Sequence, residues 1–252
     1  MIRATHQTET KRSAQGRKRA TGELAIGLVS LLAVAGLTTL IFDLSLLYLI
    51  RAIVLYGIMA KLVLRYAPLF KTGLGAANRV TLARSTIVLS IASIVPEAQT
   101  LSYTSHWWIV AISALALGLD GVDGWLARRT GTTTTFGARF DMELDSFLML
   151  ALAALVCQSG RMGSWVFLLG LPRYLFVVAG WLWSWLRAPL PERLRRKAGC
   201  VVQGVTLLAC LTPVVPNALA TLIATVTLAL LACSFTVDIV FLHRQARATP
   251  TR

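Results

Sequence analysis

The sequence predicts an all-α protein that crosses a membrane several times. Hydrophobic residues make up 56% of the 252-residue chain and charged residues only 14%, and its mean hydropathy is +0.68. Soluble domains carry about 25% charged residues, so these values favour a polytopic membrane protein. The net charge is +14, but membrane proteins collect Lys and Arg in cytoplasmic loops and beside anionic headgroups. The charge therefore does not indicate a nucleic-acid partner.

Eight apolar runs are long enough to cross a hydrocarbon core of about 30 Å. They cover residues 24–42, 45–63, 79–96, 105–119, 143–159, 164–186, 200–215 and 218–242. The second run contains Arg51, which is costly within a bilayer unless its side chain finds a partner or reaches the interface.

Basic residues lie in alternate loops between these runs. The loops "PEAQTLSYTSH" and "LTPVVPN" contain no Lys or Arg. The basic parts are the N-terminal tail, the segment 61–79, the turn of the acidic segment described below (Arg128, Arg129 and Arg139), the "RLRRK" loop and the C-terminal end. Because basic loops stay in the cytoplasm, we expect both termini and the acidic segment there, in a multi-pass protein of the cytoplasmic (inner) membrane.

Pro68, Gly73 and Gly75 interrupt the helical pattern after the second run. They divide the chain into an N-terminal helix pair and a domain of six further spans. The predicted parts are a basic cytoplasmic tail (1–23), the transmembrane helix pair (24–66), an interfacial segment (67–77), the six-helix domain (78–243) and a second cytoplasmic tail (244–252).

The segment "LDGVDGWLARRTGTTTTFGARFDMELDS" (119–146) holds five of the eleven acidic residues of the chain. Asp120 and Asp123 are three residues apart at the end of one span, and Asp141 and Asp145 are four apart at the start of the next. Both spacings place a pair on one helix face, and the Gly- and Thr-rich turn between them reverses the chain. We therefore expect four carboxylates to meet near the membrane boundary.

Four neighbouring carboxylates in a poorly solvated place cannot all stay ionised unless cations neutralise them. Oxygen-only ligands select a hard ion, Mg²⁺ or Mn²⁺, and such ions bind phosphate or pyrophosphate groups readily. Gly121 and Gly124 let a ligand approach the backbone, and Arg128 offers a forked cation suited to a phosphate oxygen. A solvated loop whose acids only balance nearby arginines is disfavoured, because charges at facing span ends are costly unless used.

The residues "DGVDGWLAR" and, eight residues later, "GARFDMELD" fit the pattern D-x-x-D-G-x-x-A-R-x8-G-x3-D-x3-D. This pattern resembles the signature of the CDP-alcohol phosphatidyltransferase family. Upstream, "ANRVTLARS" resembles the Asn-x-x-Thr-x-x-Arg segment of that family. The resemblance covers roughly residues 70–245 and implies a six-helix, usually homodimeric core with a polar cavity open to the cytoplasm.

The resemblance also implies roles for single residues. Asp120, Asp123 and Asp141 would hold two divalent ions, Mg²⁺ or Mn²⁺, and Asp145 would act as the base. The residues implied to bind the donor are Asn78, Thr81, Arg84, Gly124, Ala127, Arg128, Thr134 and Gly137. The implied reaction transfers a phosphatidyl group from CDP-diacylglycerol, or a related CDP-linked donor, to a small alcohol and releases CMP, in the synthesis of membrane lipids.

Three further residues point to the acceptor. Arg173 interrupts an apolar span and matches the place of an acceptor-binding arginine in similar family members. Lys197 and Gln203 resemble a Lys-x5-Gln element of members that use phosphorylated acceptors. Tyr174 stands where many members have glutamate, which leaves the acceptor open between candidates such as glycerol 3-phosphate and an inositol phosphate.

Two other classes of protein stay open at this point. Intramembrane prenyltransferases also use aspartate-rich, Mg²⁺-bound diphosphate sites, but they divide their acidic motifs between distant loops. A cation transporter would place carboxylates near mid-bilayer on several spans, whereas here the other acids within spans are Asp43, near a span end, and Asp238.

Overall fold

A computed structural model describes residues 2–66, 75–130, 134–188 and 194–248. Within these ranges, the side chains of residues 2–14, 76–77, 122–128, 130, 194–197 and 248 lie outside the description.

The described part of the chain is helical throughout and contains no strand. Its nine α-helices are α1 (Ile2–Phe42), α2 (Leu46–Tyr66), α3 (Ala76–Ile94), α4 (Tyr103–Thr130), α5 (Thr135–Gln158), α6 (Phe167–Gly170), α7 (Pro172–Leu182), α8 (Leu194–Leu211) and α9 (Asn217–Ala248). Short 3-10 helices lie at Val95–Thr100, Ser164–Val166 and Ser184–Arg187. The predicted all-α class is confirmed.

Four helices among the described residues are long and apolar enough to cross a membrane. They are Gln15–Phe42, Leu46–Tyr66, Asn78–Thr100 and Asn217–Arg247. The bent pair Ser164–Gly170 and Pro172–Leu182 would be a fifth if it counts as one span. Polar and acidic residues interrupt α4 and α5, and the apolar part of α8 is short, so the count of eight spans stays a prediction.

Several predicted boundaries differ from the observed helices. α1 begins at Ile2 and continues without a break through the predicted tail into the first span. The predicted single span 164–186 is broken after Gly170, and the two parts meet at 72°, because Pro172 cannot donate a hydrogen bond to the preceding turn. Residues 67–74 of the predicted interfacial segment lie outside the described residues. Gly75 follows them with φ 81°, a left-handed conformation that favours glycine.

The first of two compact units comprises Met1–Glu97 and Ala111–Asp145. Within it, α1 packs against α2 and α3, and α2 packs against α3. The hydroxyl of Tyr56 donates to the carbonyl of Leu24 at 2.6 Å, and the buried hydroxyls of Tyr48 and Ser90 are hydrogen-bonded. The N-terminal helix pair is thus packed on the first helix of the predicted six-helix domain.

Two ion pairs add to these contacts, one between α2 and the 3-10 helix that follows α3 and one between α1 and α3. The guanidinium of Arg51 pairs with the carboxylate of Glu97, which also accepts from the hydroxyl of Ser45. Arg79 on α3 pairs with Glu23 on α1 at 2.7 Å. The charge within the second apolar run therefore has a partner, as an arginine within a span requires.

The second unit comprises Ala98–Val110 and Ser146–Arg252. Here α8 packs against α9, which also contacts α6 and the 3-10 helix Ser184–Arg187. The buried hydroxyls of Thr206 and Thr227 are 2.8 Å apart and link α8 to α9. Polar contacts as well as apolar packing therefore join helices in both units.

Removing the carboxylate of Glu97 tests the pairing of Arg51. In Glu97→Gln the guanidinium loses its counterion among apolar neighbours, at a cost of about 1–3 kcal/mol, so we expect thermal unfolding in detergent a few degrees below wild type. In Arg51→Met/Glu97→Gln both charges are gone and most of the loss should be recovered. Equal midpoints for wild type and Glu97→Gln would contradict a stabilising role for the pair.

Candidate active site

Three of the four predicted aspartates lie together in the first unit. Asp120 lies on α4, and Asp141 and Asp145 lie one turn apart on α5. One carboxylate oxygen from each lies within 4.8 Å of the others. The side chains are 41%, 31% and 35% exposed, so the cluster is reachable from outside the protein.

The fourth aspartate, Asp123, follows Asp120 by three residues on α4. That spacing places it on the same helix face, but its side chain lies outside the described residues. The same applies to the side chains of Ala127 and Arg128 and to the surroundings of Gly124, although the α4 backbone is helical through all three positions.

The side chain of Arg84 joins the three carboxylates. Its Nη1 donates to Oδ1 of Asp120 at 2.6 Å, and its Nη2 donates to Oδ1 of Asp141 at 2.6 Å and to Oδ1 of Asp145 at 2.7 Å. The Arg84 side chain is 0% exposed. Charge-assisted bonds of this length are strong, so Arg84 holds residues of three helices, α3, α4 and α5, in one arrangement.

The charges of this cluster do not balance. Fully ionised, the three carboxylates would exceed the charge of the one guanidinium by two negative charges, before Asp123 is considered. Carboxylate oxygens are the ligands that Mg²⁺ and Mn²⁺ prefer, and an excess of negative charge attracts such ions. The described donor set therefore fits a hard divalent cation and does not fit zinc held by sulfur or nitrogen ligands.

The start of α5 is fixed by Thr134. Its Oγ1 accepts from the backbone N–H of Gly137 at 2.9 Å, and its carbonyl accepts from the N–H of Ala138 at 3.0 Å. Thr134 is thus the N-cap residue of α5. This cap sets the helix register that brings Asp141 and Asp145 to the same face as Gly137.

Gly137 marks a close approach between α5 and α3. A Cβ atom at this position would collide with Oδ1 of the buried Asn78 and lie 3.0 Å from Oγ1 of Thr134. Asn78, Thr81 and Arg84 are spaced by three on α3, and all three are buried. The structure therefore groups Asn78, Thr134 and Gly137 directly, and it places Thr81 between Asn78 and Arg84 on α3.

The predicted acceptor residues lie in the second unit. Arg173 is in the first turn of α7 and half-buried. Gln203 on α8 is buried, and its Nε2 donates to the carbonyl of Leu169. Lys197 lies on α8, with its side chain outside the described residues.

Sequence reasoning did not find the role of Arg84 as shared counterion. The resemblance places Arg84 among the donor-binding residues, which stays a prediction. A signal was present, because Arg84 lies inside the apolar run 79–96, whose other basic residue, Arg79, stands at its first position, and a buried cation needs a carboxylate partner. The acidic segment supplies those carboxylates.

Fold and site together define a class of protein: a polytopic membrane protein with an aspartate cluster suited to divalent cations and their phosphate ligands. The chain belongs to the CDP-alcohol phosphatidyltransferase family, whose family model matches residues 74–237. No solved structure gives a significant match. The match begins after the N-terminal helix pair, and it decides against a prenyltransferase or a cation transporter.

Family membership makes the protein a phosphotransferase of phospholipid synthesis. Members use a CDP-linked donor and an alcohol acceptor, and they depend on divalent metal ions. The described aspartates Asp120, Asp141 and Asp145 occupy three of the four acidic positions of the pattern given above. Their convergence agrees with that dependence.

Replacing Gly137 by alanine tests the close approach of α5 to α3. The added methyl group collides with the Asn78 side chain, so we expect Gly137→Ala to lose about 1–3 kcal/mol of stability and to unfold at a lower temperature. Gly118→Ala on α4 is the control, because a Cβ there meets nothing within 4 Å. Equal unfolding temperatures for the two variants would contradict the predicted collision.

Proposed function

We propose that the protein transfers a phosphatidyl group from CDP-diacylglycerol to a small alcohol, such as glycerol 3-phosphate or an inositol phosphate, and releases CMP. The observation that carries this proposal is the aspartate cluster around Arg84, built from residues of the family pattern. Family membership supplies the CDP-linked donor and the alcohol acceptor. The diacylglycerol part and the choice of acceptor are specific to this proposal.

Asp120, Asp123 and Asp141 are proposed to hold two divalent ions, Mg²⁺ or Mn²⁺. When bound, such ions neutralise the charge of a pyrophosphate group and stabilise charge that develops on its oxygens. The contribution of the chain is to hold the carboxylate ligands in place before the ions bind. Arg84 does this for Asp120 and Asp141 through bonds of 2.6 Å each.

Asp145 is proposed to accept the proton of the acceptor hydroxyl. The acceptor oxygen then forms a bond to the phosphorus that carries the diacylglycerol, and the anhydride bond to CMP breaks. A general base must lie within hydrogen-bond reach of the proton that it takes. Asp145 is 35% exposed, and Arg84 holds its Oδ1 at 2.7 Å, which orients the carboxylate.

The donor is proposed to bind beside this cluster. Asn78, Thr81, Arg84, Thr134 and Gly137 supply the described part of the site, with hydroxyl, amide and backbone groups suited to a nucleotide. The remaining donor residues of the proposal are Gly124, Ala127 and Arg128. Of these, Arg128 would neutralise phosphate oxygens as a forked cation.

Arg173, Lys197 and Gln203 are proposed to serve the acceptor. The two cationic side chains favour an alcohol that carries a phosphate group, because Arg and Lys both recognise phosphate oxygens. We therefore propose that the acceptor alcohol carries a phosphate group and is not an uncharged alcohol.

The proposed setting is the cytoplasmic membrane, with both termini and the active site on the cytoplasmic side. The distribution of Lys and Arg supports this orientation. Membrane lipids surround the exposed apolar side chains of α1 and α2, such as Ile26, Leu40 and Leu47. We also propose a homodimer, which rests on the family resemblance alone.

Asp145→Asn tests the assigned base. The variant keeps the size of the side chain but takes up no proton, so we expect CMP release from CDP-diacylglycerol to fall about 10²- to 10⁴-fold, with retained nucleotide binding. CMP is measured with Mn²⁺ present and with each candidate acceptor in turn.

Glu143→Gln is the matched control for that experiment. Glu143 lies on the same helix two residues away, is exposed and has no role in the proposed reaction. Its rate should stay within about twofold of wild type. Equal losses in the two variants, or CMP release that survives in Asp145→Asn, would contradict the role of Asp145.

A further inference from the structure

The buried amide of Gln203 lies at the break between α6 and α7. α6 ends at Gly170 and α7 begins at Pro172, and their axes differ by 72°. Nε2 of Gln203 donates to the carbonyl of Leu169, one residue before the end of α6. The amide of α8 thus contacts the backbone at the point where the chain bends.

This break creates a need for hydrogen-bond donors. In a continuous helix each carbonyl accepts from the N–H four residues later, but Pro172 has no N–H to offer to the carbonyl of Leu168. The carbonyl of Leu169 is in the last turn of α6, where the helix itself provides no donor. Within a bilayer no water is at hand, and broken helices depend on neighbouring side chains to satisfy such backbone groups. Gln203 is 7% exposed and supplies one such donor.

The last residue of α6, Gly170, lies close to α5. A Cβ atom on Gly170 would lie 2.9 Å from Cα of Leu150 and 3.1 Å from the carbonyl oxygen of Met149. Only glycine fits this approach. The bend is therefore held both by close packing against α5 and by the Gln203 hydrogen bond from α8.

Arg173 lies four residues after Leu169, in the first turn of α7. The angle of the bend sets the direction of the α7 axis, and the direction of that axis determines where Arg173 lies. We propose that Gln203 is a positioning residue that fixes the α6–α7 bend through the Leu169 carbonyl and so places Arg173 for the acceptor. This inference rests on the proposed function for the role of Arg173, and it assigns to Gln203 an indirect part in acceptor binding.

Three variants separate positioning from direct contact. Gln203→Met keeps the length of the side chain but removes the donor, and Gln203→Glu keeps the shape with a carboxyl group that donates when protonated. Thr206→Val is the control, because it removes a buried hydrogen bond between α8 and α9 one turn away and leaves the break alone. We expect Gln203→Met and Thr206→Val to lower the unfolding temperature by similar amounts. A difference between them in the bend or in the acceptor KM then does not come from a general loss of stability.

The bend itself is measured by the distance between two spin labels in the full-length protein. The labels replace Leu168 on α6 and Val178 on α7, which are 47% and 48% exposed, in a background where the four native cysteines are alanine. We expect one narrow distance distribution in wild type and in Thr206→Val, and a broader or shifted one in Gln203→Met. An unchanged distribution in Gln203→Met would overturn the proposal.

Kinetics then link the bend to the acceptor. We expect the acceptor KM to rise about tenfold in Gln203→Met, with a smaller change in kcat, a smaller rise in Gln203→Glu and none in Thr206→Val. A larger rise for Gln203→Glu than for Gln203→Met, with an anionic acceptor, would indicate direct contact and overturn the proposal. So would an altered bend with an unchanged acceptor KM.

The two proposals fail in different ways. If wild type released no CMP with any acceptor, the proposed function and the acceptor part of this inference would both be wrong. The distance measurement would still show whether Gln203 fixes the α6–α7 bend, because it needs no substrate.

Discussion

The structure depends on the sharing of one buried guanidinium among three carboxylates. Arg84 on α3 reaches Asp120 on α4 and both Asp141 and Asp145 on α5 at 2.6 to 2.7 Å. Without it, three like charges within 4.8 Å would repel one another. Without the carboxylates, a guanidinium with no exposed surface would lack a counterion, which is among the costliest defects in a protein interior. Each part of the cluster therefore requires the other.

The surrounding packing serves this arrangement. The cap at Thr134 and the lack of a side chain at Gly137 let α5 lie close to Asn78 on α3. The N-terminal pair contributes Glu23, which is paired with Arg79 on α3, and the hydroxyl contacts described above. The helix pair lies outside the family match, yet it packs on the helix that carries Arg84. We infer that it supports the position of α3.

Much of this was predictable from the sequence, and the exceptions have physical reasons. Composition predicted the all-α membrane class, and the fixed spacing of four aspartates led to the family. The break at Pro172 was missed because an apolar run of about 20 residues is long enough to span a bilayer. Hydropathy does not show where the axis of a helix changes direction. The shared role of Arg84 was missed because a pairing between α3 and residues 36 to 61 positions later depends on tertiary packing.

The central claim is that the excess negative charge around Arg84 binds divalent ions. The most direct measurement is Mn²⁺ binding to the purified protein, followed by electron paramagnetic resonance as free Mn²⁺ disappears. The account predicts two bound ions per chain in wild type, lost or strongly weakened in Asp141→Asn and retained in the control Glu143→Gln. No bound Mn²⁺ in wild type, or binding that Asp141→Asn leaves unchanged, would contradict it.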